Sequence, residues 1–208
     1  MEHAAAGSGH LETSTGLDNR KLLMWLFLGS ECLFFGSLIA AYLLYRDRSL
    51  GPPFPSDRVF NGVHYEGLFD IPFTSVSAFV LLMSSVTMVL ALAAIQRGNR
   101  RSMQVWLLTT ALLGTLFVSG QAYEFTVFHR EGLSLGSNLF GTTFFVLTGF
   151  HGAHVTIGVL ILLSLLAMSF QGRIQQKDSL NVELAGLYWH FVDVVWIVIF
   201  TLVYLIQP

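Results

Sequence analysis

Five long apolar stretches, separated by short polar connections, dominate this chain, at about 22–45, 72–96, 103–128, 139–170 and 182–206. The hydrocarbon core of a bilayer, about 30 Å thick, takes roughly 20 helical residues at ~1.5 Å each, and every stretch meets that length. The third and fourth exceed it and must tilt or overhang. None shows the alternation of a barrel strand, and in lipid only helices and closed barrels satisfy their own backbone. The pattern predicts an all-α integral membrane bundle of five transmembrane helices, one domain over 21–208. A polar, flexible tail over 1–20 precedes it and lacks the basic start of a signal peptide. His3 and His10 in that tail read as solvated side chains.

Composition agrees with this pattern. The chain is 53% hydrophobic and 12% charged, whereas soluble domains carry about 25% charged residues. A net charge of −2 excludes a nucleic-acid partner, which needs a basic face. Basic residues set the orientation: Arg20, Lys21, Arg97, Arg100, Arg101, Arg173 and Lys177 fall on one side, and Arg46, Arg48, Arg58 and Arg130 on the other. That bias places the N-terminus in the cytoplasm. The 46–71 loop contains Gly51-Pro52-Pro53-Phe54-Pro55, which forbids a continuing helix and favours an extended path. Cys32, the single cysteine, lies within an apolar run and reads as a small buried packing residue.

Ionisable groups inside these spans carry the functional signal. Leaving one in hydrocarbon is costly, so it faces protein or water. His151 and His154 are spaced i,i+3, as are His190 and Asp193, so each pair shares a helix face. At ~1.5 Å per residue, Glu31, His151, His154, His190 and Asp193 fall near one level in the middle third of the membrane. Residues at matched depth on neighbouring helices can meet, which predicts a carboxylate–imidazole cluster joining helices 1, 4 and 5. Three readings of it stand: a hydrogen-bonded polar core, a proton-accessible group centred on Glu31, or a metal or haem site. The last lacks three converging ligands, and its histidines sit at one level only.

Glu124, near the outer end of the third span, reads as an interfacial carboxylate satisfied by nearby polar groups, or as a structural bond to a partner chain or the proline-rich loop. Gly29, Gly36, Gly114, Gly149, Gly152 and Gly158 would let backbones approach closely, within the bundle or against another subunit or lipid. Trp25 and Trp106 fit membrane-edge belts, while Trp189 and Trp196 fall in the interior. The chain has no phosphate-binding glycine loop, nucleophile elbow or HExxH motif, so catalysis by this chain alone is not expected.

Four segments resemble a known family. Ser30-Glu31-Cys32-Leu33-Phe34-Phe35 resembles the glutamate motif of subunit III of haem–copper terminal oxidases, and Gly120-Gln121-Ala122-Tyr123-Glu124-Phe125 its third-span signature. Thr148-Gly149-Phe150-His151-Gly152-Ala153-His154-Val155 resembles its most diagnostic stretch. Tyr188-Trp189-His190-Phe191-Val192-Asp193-Val194-Val195-Trp196 resembles its closing helix. Larger members have seven helices, the first two set apart by a lipid-filled cleft, and this chain looks like the five-helix bacterial form.

The resemblance implies a non-redox subunit of an oxidase in a prokaryotic plasma membrane, serving aerobic respiration. It implies direct packing on subunit I, with subunit II and any small subunits nearby, and contact with membrane lipids. Haem and copper would sit in partner subunits, and this chain would bind only structural phospholipids. The implied roles are to stabilise subunit I and to support proton uptake, lipid binding and oxygen access while oxygen reduction to water drives proton translocation. The family's glutamate at the position of Glu31 is a carbodiimide-reactive, membrane-buried carboxyl. His151, His154, His190 and Asp193 match positions inside the family's bundle, and Glu124, Gly149, Gly152, Trp189 and Trp196 fall within its motifs. The 121–125 segment leans towards a cytochrome c oxidase, with a quinol oxidase as the alternative. A free-standing proton-coupled transporter or membrane cytochrome is the rival from another class.

Overall fold

A computed structural model describes residues 18–48, 57–60, 63–65, 67 and 69–206. The polar tail up to residue 17 and the proline cluster at 51–55 lie outside the described residues, as do His3 and His10. Five helices are long and apolar enough to cross a membrane: α1 (Asn19–Tyr45), α2 (Ile71–Gln96), α3 (Arg100–Arg130), α4 (Leu139–Phe170) and α5 (Ser179–Phe200). A π-helical turn, Thr201–Leu205, continues α5. Between α1 and α2 lie a short 3-10 turn, Arg46–Arg48, and a small antiparallel hairpin of β1 (Arg58–Phe60) and β2 (Val63–Tyr65), with Val59 opposite His64. Part of the 46–71 loop beyond the proline cluster is therefore paired strand.

Polar residues beyond each apolar run set the helix ends. The side chains of Asp18, Asp70, Asn99 and Asn138 each accept a backbone N–H of the first turn, at Arg20, Phe73, Ser102 and Gly141. These caps satisfy donors that the helix itself cannot reach. Helices α2, α3 and α4 stop in one way: Gly98, Gly132 and Gly172 take φ of +74°, +90° and +80°. Glycine carries no Cβ penalty there, and the next residue's N–H folds back onto the last turn, as in Asn99 N–H to Ala94 O.

Helices α2 to α5 form a four-helix body. The Thr87 and Thr110 hydroxyls lie 2.8 Å apart between α2 and α3. One side chain from α5 touches all three of its companions. The Trp189 indole N–H donates to Ser84 Oγ of α2 at 2.9 Å, while its ring lies against Gly114 of α3 and Gly158 of α4. A Cβ built at Gly114 would stand 2.5 Å from that ring, and one at Gly158 2.8 Å. These glycines accommodate a tryptophan rather than a second backbone.

Helix α1 lies outside the body, in the groove between α4 and α5. Only 11% of its most apolar stretch is buried within the chain, against 50% for the last span. It is fastened near its start by Lys21 Nζ to Glu183 of α5 at 2.7 Å. Beyond its other end, Arg46 donates to the Ile206 carbonyl at 2.9 Å. Cys32 corrects the sequence expectation: it is exposed, because only one narrow stripe of this helix (Leu28, Phe35, Tyr42) turns inward. Gly29 and Gly36 likewise have nothing within 4 Å of a built Cβ.

Candidate functional site: polar centres inside the bundle

The mid-membrane polar residues divide into separate centres. Glu31 of α1 and His154 of α4 approach across the helix interface, Oε2 to Nε2 at 3.3 Å, with side chains 17% and 15% exposed. His154 Nδ1 lies 2.7 Å from the Phe150 carbonyl. A carbonyl only accepts, so Nδ1 carries a hydrogen and donates it. Nε2 and the carboxyl then face one another, and a hydrogen bond between them requires a proton on one of the two. The contact falls short of a well-aligned hydrogen bond, and Glu31 Oε2 has no other partner.

This pair lies on one wall of an open cleft of about 460 Å³ between α1, α4 and α5. Apart from Asn181 and Tyr188 the rest of its lining is apolar, with Met24, Phe27, Ile161 and Leu165 in it. The Tyr188 hydroxyl donates to the His154 carbonyl at 3.0 Å, fixing α5 to α4 beside the pair. An acid and a base sharing one proton at the edge of an apolar cleft can take up, hold or release that proton without metal or cofactor.

His190 points elsewhere. Its Nδ1 lies 2.5 Å from Ser85 Oγ of α2, on the far side of α5 from Glu31. That hydroxyl also sits beside the Asp193 carboxyl, yet neither Asp193 oxygen has a hydrogen bond of acceptable geometry. His151 is fully buried and stacks on Trp196 at 5.0 Å between ring centroids. Residues three apart on a helix point about 60° away from one another. In the first pair one residue therefore faces a neighbouring helix while its mate faces the core, whereas His190 and Asp193 both lie beside Ser85. His154 turns to α1 and His151 inward; His190 turns to α2.

Glu124 sits inside the body, not at an exposed interface. It is 7% exposed, and its two oxygens accept from Thr74 Oγ1 of α2 at 2.8 Å and from the Tyr204 hydroxyl at 3.2 Å. Three segments are thereby tied at one point. Aromatic rings seal that end of the bundle: Phe69, from the loop before α2, lies 4.5 Å from Tyr204 and 5.5 Å from Phe144. A Cβ built at Gly149 has nothing within 4 Å, and one at Gly152 would meet only the Gln121 amide, at 3.5 Å.

Sequence reasoning missed Ser85, Thr74 and Tyr204, each a partner to a carboxyl or imidazole group, and the Tyr188 hydroxyl that holds the His154 backbone carbonyl. The Ser84-Ser85 doublet in an otherwise apolar run was the available signal. Among the described residues, no three His, Cys, Asp or Glu side chains are grouped to hold a metal ion.

Comparison with known proteins bears on this arrangement. A model of the family described as cytochrome c oxidase subunit III matches residues 1–207. Quinol oxidase subunit 3 of Bacillus spizizenii is 36% identical over 209 aligned positions, covering 99% of this chain and 97% of that protein. Cytochrome c oxidase subunit 3 of Synechocystis sp. is 42% identical over 190 positions, covering 91% and 76%. That of Bacillus sp. (strain PS3) is 37% identical over 187 positions, covering 90% and 86%.

Proposed function

The chain belongs to the cytochrome c oxidase subunit III family, and from that premise we propose that it supports a catalytic partner without a redox centre of its own. It is a third subunit of a haem–copper oxidase and an integral protein of the plasma membrane. The proposed partner is subunit I, with subunit II in the same assembly and haem and copper held by those chains. The N-terminus lies in the cytoplasm, consistent with the basic residues at that end of α1 and in the two loops on its side.

Its work, on this reading, is to keep the proton supply and packing of subunit I intact while oxygen is reduced to water. The observation that carries this is the Glu31–His154 pair at the cleft between α1, α4 and α5. Apolar walls admit lipid or dissolved oxygen, and the pair supplies one exchangeable proton within the membrane. His151, His190, Asp193, Gly152, Trp189 and Trp196 serve the packing that holds α4 and α5 in place around it, while Gly149, beside open space, offers a surface to lipid or another subunit.

Cytochrome c is the proposed electron donor, in keeping with the 42% identity to the Synechocystis protein. Quinol is the second reading, supported by end-to-end coverage of the Bacillus spizizenii protein. Purification in mild detergent tests the proposal: the chain comes away with a haem–copper partner, and the complex oxidises reduced cytochrome c. Oxidation of quinol alone selects the second reading. Isolation of the chain by itself with a bound haem refutes both.

A further inference from the structure

The core of the four-helix body holds polar atoms that the Glu31–His154 centre does not use. Among the described residues, buried side-chain atoms without a protein hydrogen-bond partner include both ring nitrogens of His151, both amide atoms of Gln121, both oxygens of Asp193 and Nε1 of Trp196. These four residues are between 0% and 6% exposed.

Three of them lie together, while the Asp193 carboxyl sits beside Ser85 of α2. His151 stacks on Trp196, and the Phe117 ring packs edge-on against both, at 6.0 Å and 4.8 Å between centroids. Gln121 lies one turn beyond Phe117 on α3, its amide beside Gly152 of α4. Asp193 lies one turn before Trp196 on α5. Gln121, His151 and Trp196 bring complementary chemistry: the indole only donates, and the amide and imidazole do both.

Geometry keeps the two stacked rings from satisfying one another directly. The His151 and Trp196 rings lie at an interplanar angle of 21°, and stacked rings send their N–H bonds sideways, not into one another. Nor is hydrocarbon a substitute partner. Natural interiors resolve such clusters with bound water, about one molecule per 27 residues, each making about three hydrogen bonds to otherwise unpaired groups.

We propose that α3, α4 and α5 enclose a cluster of bound water molecules held by Gln121, His151 and the indole N–H of Trp196. The cluster lies within the four-helix body, away from the cleft at α1. It gives the buried polar groups their partners and lets α3, α4 and α5 pack around a hydrated core inside the membrane.

The molecule contains its own control. Trp189 is as deeply buried as Trp196, at 1% against 2% exposed, but its N–H is satisfied by Ser84. Radiolytic hydroxyl labelling of the intact oxidase in detergent, read by mass spectrometry, generates radicals from water wherever water lies against a side chain. Trp196 is expected to oxidise about tenfold faster than Trp189, since a bound water supplies the radical in place. Equal rates for the two indoles would overturn the proposal. A density map of the complex that resolves ordered water provides the second measurement. Peaks within hydrogen-bond reach of Trp196 Nε1 and the Gln121 amide support the cluster; direct bonds among these side chains, with nothing between them, overturn it.

Discussion

The four-helix body and α1 hold their buried carboxyls in opposite ways. In the body, Glu124 accepts hydrogen bonds from two different segments, and Trp189 is wedged into glycine gaps in two more helices. In α1, Glu31 meets a single imidazole at 3.3 Å across an open cleft, on a helix that buries little of itself. A carboxyl fully committed to its neighbours is a rivet. One with a single loose partner and a route to the cleft can change its proton without undoing the fold.

The contrast can be broken at several points. Gly158→Val places a side chain where even a Cβ would stand 2.8 Å from Trp189, and the ring, tethered to Ser84, has nowhere to go. A loss of about 3 kcal/mol is expected from such overpacking, read as a lower unfolding temperature in detergent. A variant as heat-resistant as the parent would show the wedge to be loose. Glu124→Leu removes an acceptor shared by Thr74 and the fully buried Tyr204 hydroxyl, for a loss of about 2 kcal/mol. Glu124→Gln should recover much of it, because one carbonyl acceptor remains; equal loss in both variants would mean that volume, not hydrogen bonding, decides.

Smaller effects are expected on α1. Glu31→Gln keeps the size of the side chain and a polar contact to His154, so stability should change by less than about 1 kcal/mol while sustained turnover of the oxidase falls. Normal activity over many turnovers would remove the pair from the mechanism. Carbodiimide should mark Glu31 in preference to Glu124, since only the former opens onto a cleft without donors on its oxygens. Cys32→Ala, on the outward face, should stay within about 0.5 kcal/mol, and a large loss would mean that another subunit covers that face.

The spans were legible because hydrocarbon imposes a length and a polarity that any sequence must meet. Asn19, Arg100 and Arg130 were harder to assign to helices, since caps such as Asp18 and Asn99 carry regular structure past the apolar runs. Depth was also legible, as it needs only counting. What each polar residue meets was not. The order of helices around a bundle leaves no trace in the spacing of His190 and Asp193, so their nearness to Ser85 of α2 could not be read. Cys32 failed for a related reason: apolar surroundings mark membrane depth, not which way a side chain turns. Lipid-facing and core-facing positions look alike in composition, and only packing separates them.

The attachments of α1 have a consequence for how the molecule is made. Its fasteners lie at His154 and Glu183 and at the carbonyl of Ile206, far along the chain. A nascent polypeptide therefore inserts its first span long before the groove that receives it exists. Closing so long a loop adds only modest entropy, but the waiting is obligatory: the first segment into lipid has no partner until the fourth arrives, and a chain halted before that span would leave it adrift.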